Sequence, residues 1–179
     1  MPFLTLQELA ARPYEEASRA NRMLSRTTDR ELAERRLFLF YRLTDKERVV
    51  SMVSLIKSLR INVYLDYLEA PVLEGRVQEV LQAVKTRLYQ SQKAILMATP
   101  HPVRLSGLPL DYGLNGRFQF TGNVAVFPVT EHPQRWDEKD MYRIYGYIQK
   151  KYSLFNYPDD WQVVTPEKDK ISLKDWILR

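Results

Sequence analysis

Apolar and polar positions change their period several times along this chain, and each change predicts an element. Leu37 to Tyr41 is an unbroken apolar and aromatic run, the length of a strand buried on both faces. Thr44-Asp45-Lys46-Glu47 follows with the spacing of a capping box, in which threonine and glutamate satisfy free amide donors reciprocally. Val49, Met52, Val53, Ile56 and Leu59 then recur at helical spacing, and Asn62 to Tyr67 returns as a strand. Together they predict a βαβ unit, which requires a parallel sheet with a right-handed crossover.

The pattern continues downstream. A Pro- and Gly-containing loop over 68–75 leads to Val77, Val80, Leu81, Val84 and Leu88, the apolar face of a second helix running to about Ser91. Ala94 to Ala98 reads as a third strand, followed by a proline-punctuated loop from Thr99 to Leu110 and a single turn around 111–114. Asn123 to Val129 is a fourth strand, closed by Pro128 near its end. Met141, Ile144, Tyr145, Ile148 and Tyr152 predict a helix from about Asp137 to Lys151, weakened by Gly146. Trp161 to Thr165 is a last strand at an edge, and Ser172-Leu173-Lys174-Asp175 caps a final turn that buries Leu173, Trp176 and Ile177.

Ahead of all this, residues 1–36 read as a helical extension that lies against the main domain, 37–179, and adds little core of its own. Thr5-Leu6-Gln7-Glu8 is a capping box for a short helix that Pro13 limits. The whole order predicts an α/β fold: a flavodoxin-like open, mostly parallel sheet, doubly wound.

Composition narrows the classes. At 179 residues, 45% hydrophobic and 27% charged, the chain is an ordinary globular domain with room for a core. It has no cysteine, which removes disulfides, thiolate nucleophiles and cysteine metal sites. His101 and His132 lack a metal-ligand spacing, so no metal is expected. No apolar run approaches the ~20 residues that span a bilayer, and no secretory signal opens the chain, so a cytoplasmic protein without membrane contact is expected. The net charge of +5 raises the question of nucleic acid. Arg19, Arg22, Arg26 and Arg30 recur at helical spacing, but Glu15, Glu16, Asp29, Glu31 and Glu34 dilute them and no nucleic-acid motif accompanies them. A solvated face is the better reading.

In an open α/β sheet, ligands bind outside the carboxyl ends of the strands. That rule selects residues 41–45, 66–69, 99–111 and 130–132, which hold tyrosines, arginines, carboxylates and both histidines. Loops are polar in any case, so the clustering alone is weak evidence. Glycine-rich dinucleotide fingerprints, a phosphate loop and a serine elbow are all absent.

Four stretches, in order, carry a resemblance. Phe38 to Val49 (FLFYRLTDKERV) resembles the first box of bacterial TIR (Toll/interleukin-1 receptor) domains, where a strand ending Ser-Tyr-Ser is followed by Asp-Lys-Glu. Asn62 to Tyr67 (NVYLDY) is similar to the family's second strand, Val-Tyr-x-Asp-Trp. Tyr89 to Thr99 is similar to its third strand, and Asn123 to Val129 to its Val-Ala-Ile-Leu-Pro-Val strand. The N-terminal lead-in and Tyr142 to Ile148 also look like stand-alone TIR proteins of Thoeris-type antiphage defence. The resemblance implies cleavage of NAD+ at the nicotinamide–ribose bond, with ADP-ribose or a cyclic variant as a signal. NAD+ is then substrate, and no resident cofactor is implied.

The resemblance also assigns residues. Family members place a glutamate after the third strand, within Ser-x-Trp-x-Pro-Trp-Glu-Leu-Gly. Here Ser106 to Leu114 (SGLPLDYGL) fits at Pro109 and Gly113, lacks both tryptophans, and has Asp111 where the glutamate stands. Asp111 is thus either the catalytic carboxylate, one methylene shorter, or a plain helix-start residue. Tyr41, Arg42, Asp45, Asp66, Glu69 and Ser106 are the candidate nucleotide contacts. Asp66 leans structural and Tyr41 towards the core, while Arg42 reads equally as a phosphate or partner contact and as a surface ion pair. The alternative is a degenerate TIR module that acts through self-association or contact with another TIR or effector protein.

Overall fold

The computed structural model describes residues 3–11, 36–41, 45–58, 61–65, 82, 86, 89–100, 121–137, 144–151 and 160–179. The apolar run after residue 35 is strand β2 (Arg36–Phe40), with β1 (Leu4–Thr5) and helix α1 (Leu6–Ala10) before it. Helix α2 (Lys46–Ser58) and strand β3 (Asn62–Leu65) complete the predicted βαβ unit. Strands β4 (Lys93–Ala98), β5 (Val124–Thr130), β6 (Gly146–Lys150), β7 (Trp161–Val164) and β8 (Lys170–Ser172) follow, and helix α3 (Leu173–Leu178) ends the chain. Gln82, Thr86, Tyr89 and Gln90 are helical, in agreement with a helix before β4.

The strands form one mixed, mostly parallel sheet in the order β3-β2-β4-β5-β6-β7-β8, with β1 added on β5. Pairings from β3 through β6, and β1 with β5, are parallel; β7 and β8 join antiparallel. This is an α/β fold. Alternation in the strands divides the core into two faces. Leu37, Leu39, Ile95, Met97, Ala125, Phe127 and Val129 face one side, where α2 brings Val49, Met52, Leu55 and Ile56. At about 1.5–3 kcal/mol for each large apolar side chain taken from water, those four residues are enough to hold α2 on the sheet. Phe38, Phe40, Leu96 and Val126 face the other side, with Trp136, Tyr145 and Tyr147 packed against them. Burial there raises the Tyr145 phenol above its ordinary pKa of 10.0.

Local chemistry accounts for the helix ends. Thr5 and Glu8 form the predicted box: Glu8 N–H donates to Thr5 Oγ1 at 3.1 Å, and Thr5 N–H donates to Glu8 Oε2 at 2.9 Å. Ser172 caps α3 by accepting from the Asp175 N–H at 3.0 Å, and Leu173, Trp176 and Ile177 are buried as expected. Lys93 pins the amino end of the sheet to this helix. Its ammonium donates to Asn123 Oδ1 at 2.9 Å and lies 5.2 Å from the Trp176 ring, whose Nε1–H donates to the Gly122 carbonyl.

Four expectations change. The segment read as a helix from 137 to 151 contains strand β6, because Gly146 sits where an added Cβ meets Val163 Cγ1 and the Val164 carbonyl oxygen at 3.0 Å. The close strand approach, not a helix break, is what this glycine serves. Strand β7 is internal, flanked by β6 and β8. Pro128 does not close β5, which runs on to Thr130; the proline stands between the residues that pair with β6 (125–126) and those that pair with β1 (129–130). The first segment also adds core, since Leu4 and Leu9 are buried within the first cluster. Among the described residues no helix is long and apolar enough to cross a membrane.

Candidate functional site

The direction of winding reverses between β2 and β4: the chain passes from β2 to β3 on one side, while β4 lies on the other. At such a point the loops leave the carboxyl ends in opposite directions and open a crevice. Tyr41, directly after β2, is half-buried there and packs against the first core cluster.

Asp45 stands one residue before α2 and is fully buried. Thr99, just past β4 and also buried, donates its hydroxyl to Asp45 Oδ2 at 2.8 Å. Arg48 reaches Asp45 Oδ1 from the first turn of the helix, Nη1 to oxygen 3.2 Å. The carboxylate also lies at the positive end of the α2 dipole, a favourable place for an anion. Asp45 therefore ties the start of α2 to the end of β4 across the switch point.

Farther along the same edge, beyond β4 and β5, lies a cavity of about 210 Å³. Thr99, Pro100, Val129 and Thr130 line its strand side, and Glu131, His132, Arg135, Trp136 and Asp137 its outer side. The outer side is a tight turn. Arg135 N–H donates to the His132 carbonyl at 3.2 Å, and the Thr130 hydroxyl donates to the same oxygen at 2.8 Å. Phe3 fixes the turn from the N-terminal side by donating its N–H to the Pro133 carbonyl. Its ring meets Trp136 at 5.9 Å and Tyr147 at 6.0 Å, and those two rings lie 5.6 Å apart. Arg135 Nε donates to Asp137 Oδ1. Glu131, His132, Arg135 and Asp137 are exposed, so polar groups of both signs ring an opening with an indole in its wall.

Of the residues singled out from sequence, Tyr41 and Asp45 come together at the switch point, and the 130–132 segment lies on the same edge. Arg42, Asp66, Glu69, Ser106 and Asp111 lie outside the described residues, as does His101. Arg135, Trp136 and Asp137 were not singled out. The strand-end rule stopped at His132, and following it a few residues into the turn reaches them. Among the described residues no group of three or more His, Asp or Glu side chains could hold a metal ion. The edge offers carboxylates, a guanidinium and hydroxyls, which suit recognition of a polar organic ligand. No protein-family model matches the chain, and no curated protein matches it.

Proposed function

We propose that this protein is a TIR-type domain that binds NAD+ at the carboxyl edge of its sheet and cleaves the nicotinamide–ribose bond. The observation that carries the reading is the strand order. Numbered from β2, the parallel strands β3-β2-β4-β5-β6 run second, first, third, fourth, fifth, the flavodoxin-like order that the TIR resemblance calls for. The switch point of that order falls at the first-box residues Tyr41 and Asp45. The setting the resemblance suggests is bacterial antiphage signalling.

In this reading the bond from ribose C1′ to the nicotinamide nitrogen breaks, and its electron pair leaves with neutral nicotinamide. The ribosyl centre becomes oxocarbenium-like, and a carboxylate beside it lowers the barrier by opposing that charge. Asp111 is the carboxylate assigned to this task. Water then adds at C1′ and releases a proton to give ADP-ribose; attack by a nitrogen of the same molecule's adenine gives a cyclic product instead.

The test is nicotinamide release from NAD+ by the purified full chain, at low and high protein concentration. Release by the wild type, lost in Asp111→Ala, is the expected result. No release at any concentration overturns the enzymatic reading and leaves the fold to a role in TIR–TIR contact.

A further inference from the structure

We infer that the cavity beyond β4 and β5 is a subsite for a neutral, hydroxyl-rich ring, the ribose of a nucleoside or a free sugar. Its size comes first. A cavity of about 150 Å³ holds a benzene ring, so 210 Å³ is room for one hydroxylated five- or six-membered ring.

Charge selects against a free phosphate. Arg135 is already engaged by Asp137, so the pair cancels, and Glu131 adds a carboxylate with no second guanidinium among the lining residues. What remains are donors and acceptors side by side. Arg135 keeps its terminal N–H groups beyond the Nε that binds Asp137, and Glu131 and His132 have no side-chain partner among the described residues. Adjacent hydroxyls both donate and accept, and they need this alternation of carboxylate and guanidinium. The C–H face of a sugar ring needs an apolar wall, and Trp136, Val129 and Pro100 supply one. The indole is held in place from behind by the rings of Phe3 and Tyr147, so the wall is preformed.

Ribose as the source rests on the NAD+ reading; the sugar chemistry does not. The experiment is a titration of the full chain followed by NMR, reading the Trp136 indole resonance and the 131–137 amides. The probes are adenosine, 2′,3′-dideoxyadenosine, ADP-ribose and glucose. Adenosine and ADP-ribose are expected to shift these resonances, and dideoxyadenosine to bind at least tenfold more weakly. Glu131→Gln, an exposed and isosteric change, is expected to weaken adenosine about five- to tenfold, the size of one ordinary hydrogen bond, with an unchanged melting temperature. Glucose binding without adenosine binding assigns the subsite to free sugars and overturns the nucleoside source. Equal affinity for adenosine and its dideoxy form, or no shift with any probe, overturns the inference. Neither readout depends on nicotinamide release, so this subsite and the proposed reaction succeed or fail separately.

Discussion

Among the described residues, two places on the carboxyl edge of this sheet combine carboxylate, hydroxyl and arginine. At the switch point Asp45 has no exposure, and Thr99 and Arg48 occupy its two oxygens. In the turn after β5, Glu131 and Asp137 stand in solvent around an open cavity. The same residue types do opposite work because of burial. A buried carboxylate is stable only when its oxygens are satisfied, so the protein saturates Asp45 with its own hydrogen bonds. An exposed carboxylate is satisfied by water, which a ligand can displace. Residue type therefore points to the edge of the sheet, and burial tells which groups on it are available.

Mutations at the buried Asp45 tie are expected to act on stability. Asp45→Ala removes the acceptor of a buried hydroxyl, an ion pair and a charge at the α2 N-terminus. A loss of about 3 kcal/mol in urea denaturation is expected. Thr99→Val removes one of those bonds and leaves Asp45 Oδ2 without it, for about 2 kcal/mol. If both variants unfold like the wild type, Asp45 is not a tie and becomes as available as Glu131.

The open cavity is expected to show the reverse. Phe3→Ala removes one of the three rings behind the turn, with an expected loss of about 1 kcal/mol and faster amide hydrogen exchange at 131–137 than elsewhere in the sheet. Glu131→Gln and Arg135→Ala are expected to change stability by less than about 0.5 kcal/mol, as surface substitutions do. A loss comparable to that of Thr99→Val at either position erases the distinction between the two places.

The fold was legible where the apolar pattern was unambiguous. The β2–α2–β3 unit, β4, β5 and β7, and the caps at Thr5 and Ser172, all follow from runs and capping residues that need no distant partner. The failure at β6 has a specific cause. Ile144, Tyr145 and Ile148 satisfy a helical spacing, yet Tyr145 and Tyr147 pack on one face of the sheet and Ile148 on the other. That alternation becomes visible only once β5 and β7 lie on either side. Strand β1 was hidden for a related reason, since two residues carry no period; Leu4 and Thr5 become a strand by pairing with Val129 and Thr130.

The site was legible in outline. The strand-end rule selects this edge, and Tyr41, Asp45 and the 130–132 segment are on it. It does not distinguish Asp45 from Glu131, because burial depends on Thr99, which lies 54 residues away in sequence. Trp136 was missed because its wall is made with Phe3 and Tyr147, one from each side in sequence.

The most direct test of the central claim is chemical-shift mapping of NAD+ on the full chain. Perturbed amides are expected at the carboxyl ends of β2, β4 and β5, around Tyr41, Thr99 and 130–137, with none near Lys93, Asn123 or Gly146 at the amino ends. Shifts confined to the amino ends, or no shifts at millimolar NAD+, contradict it.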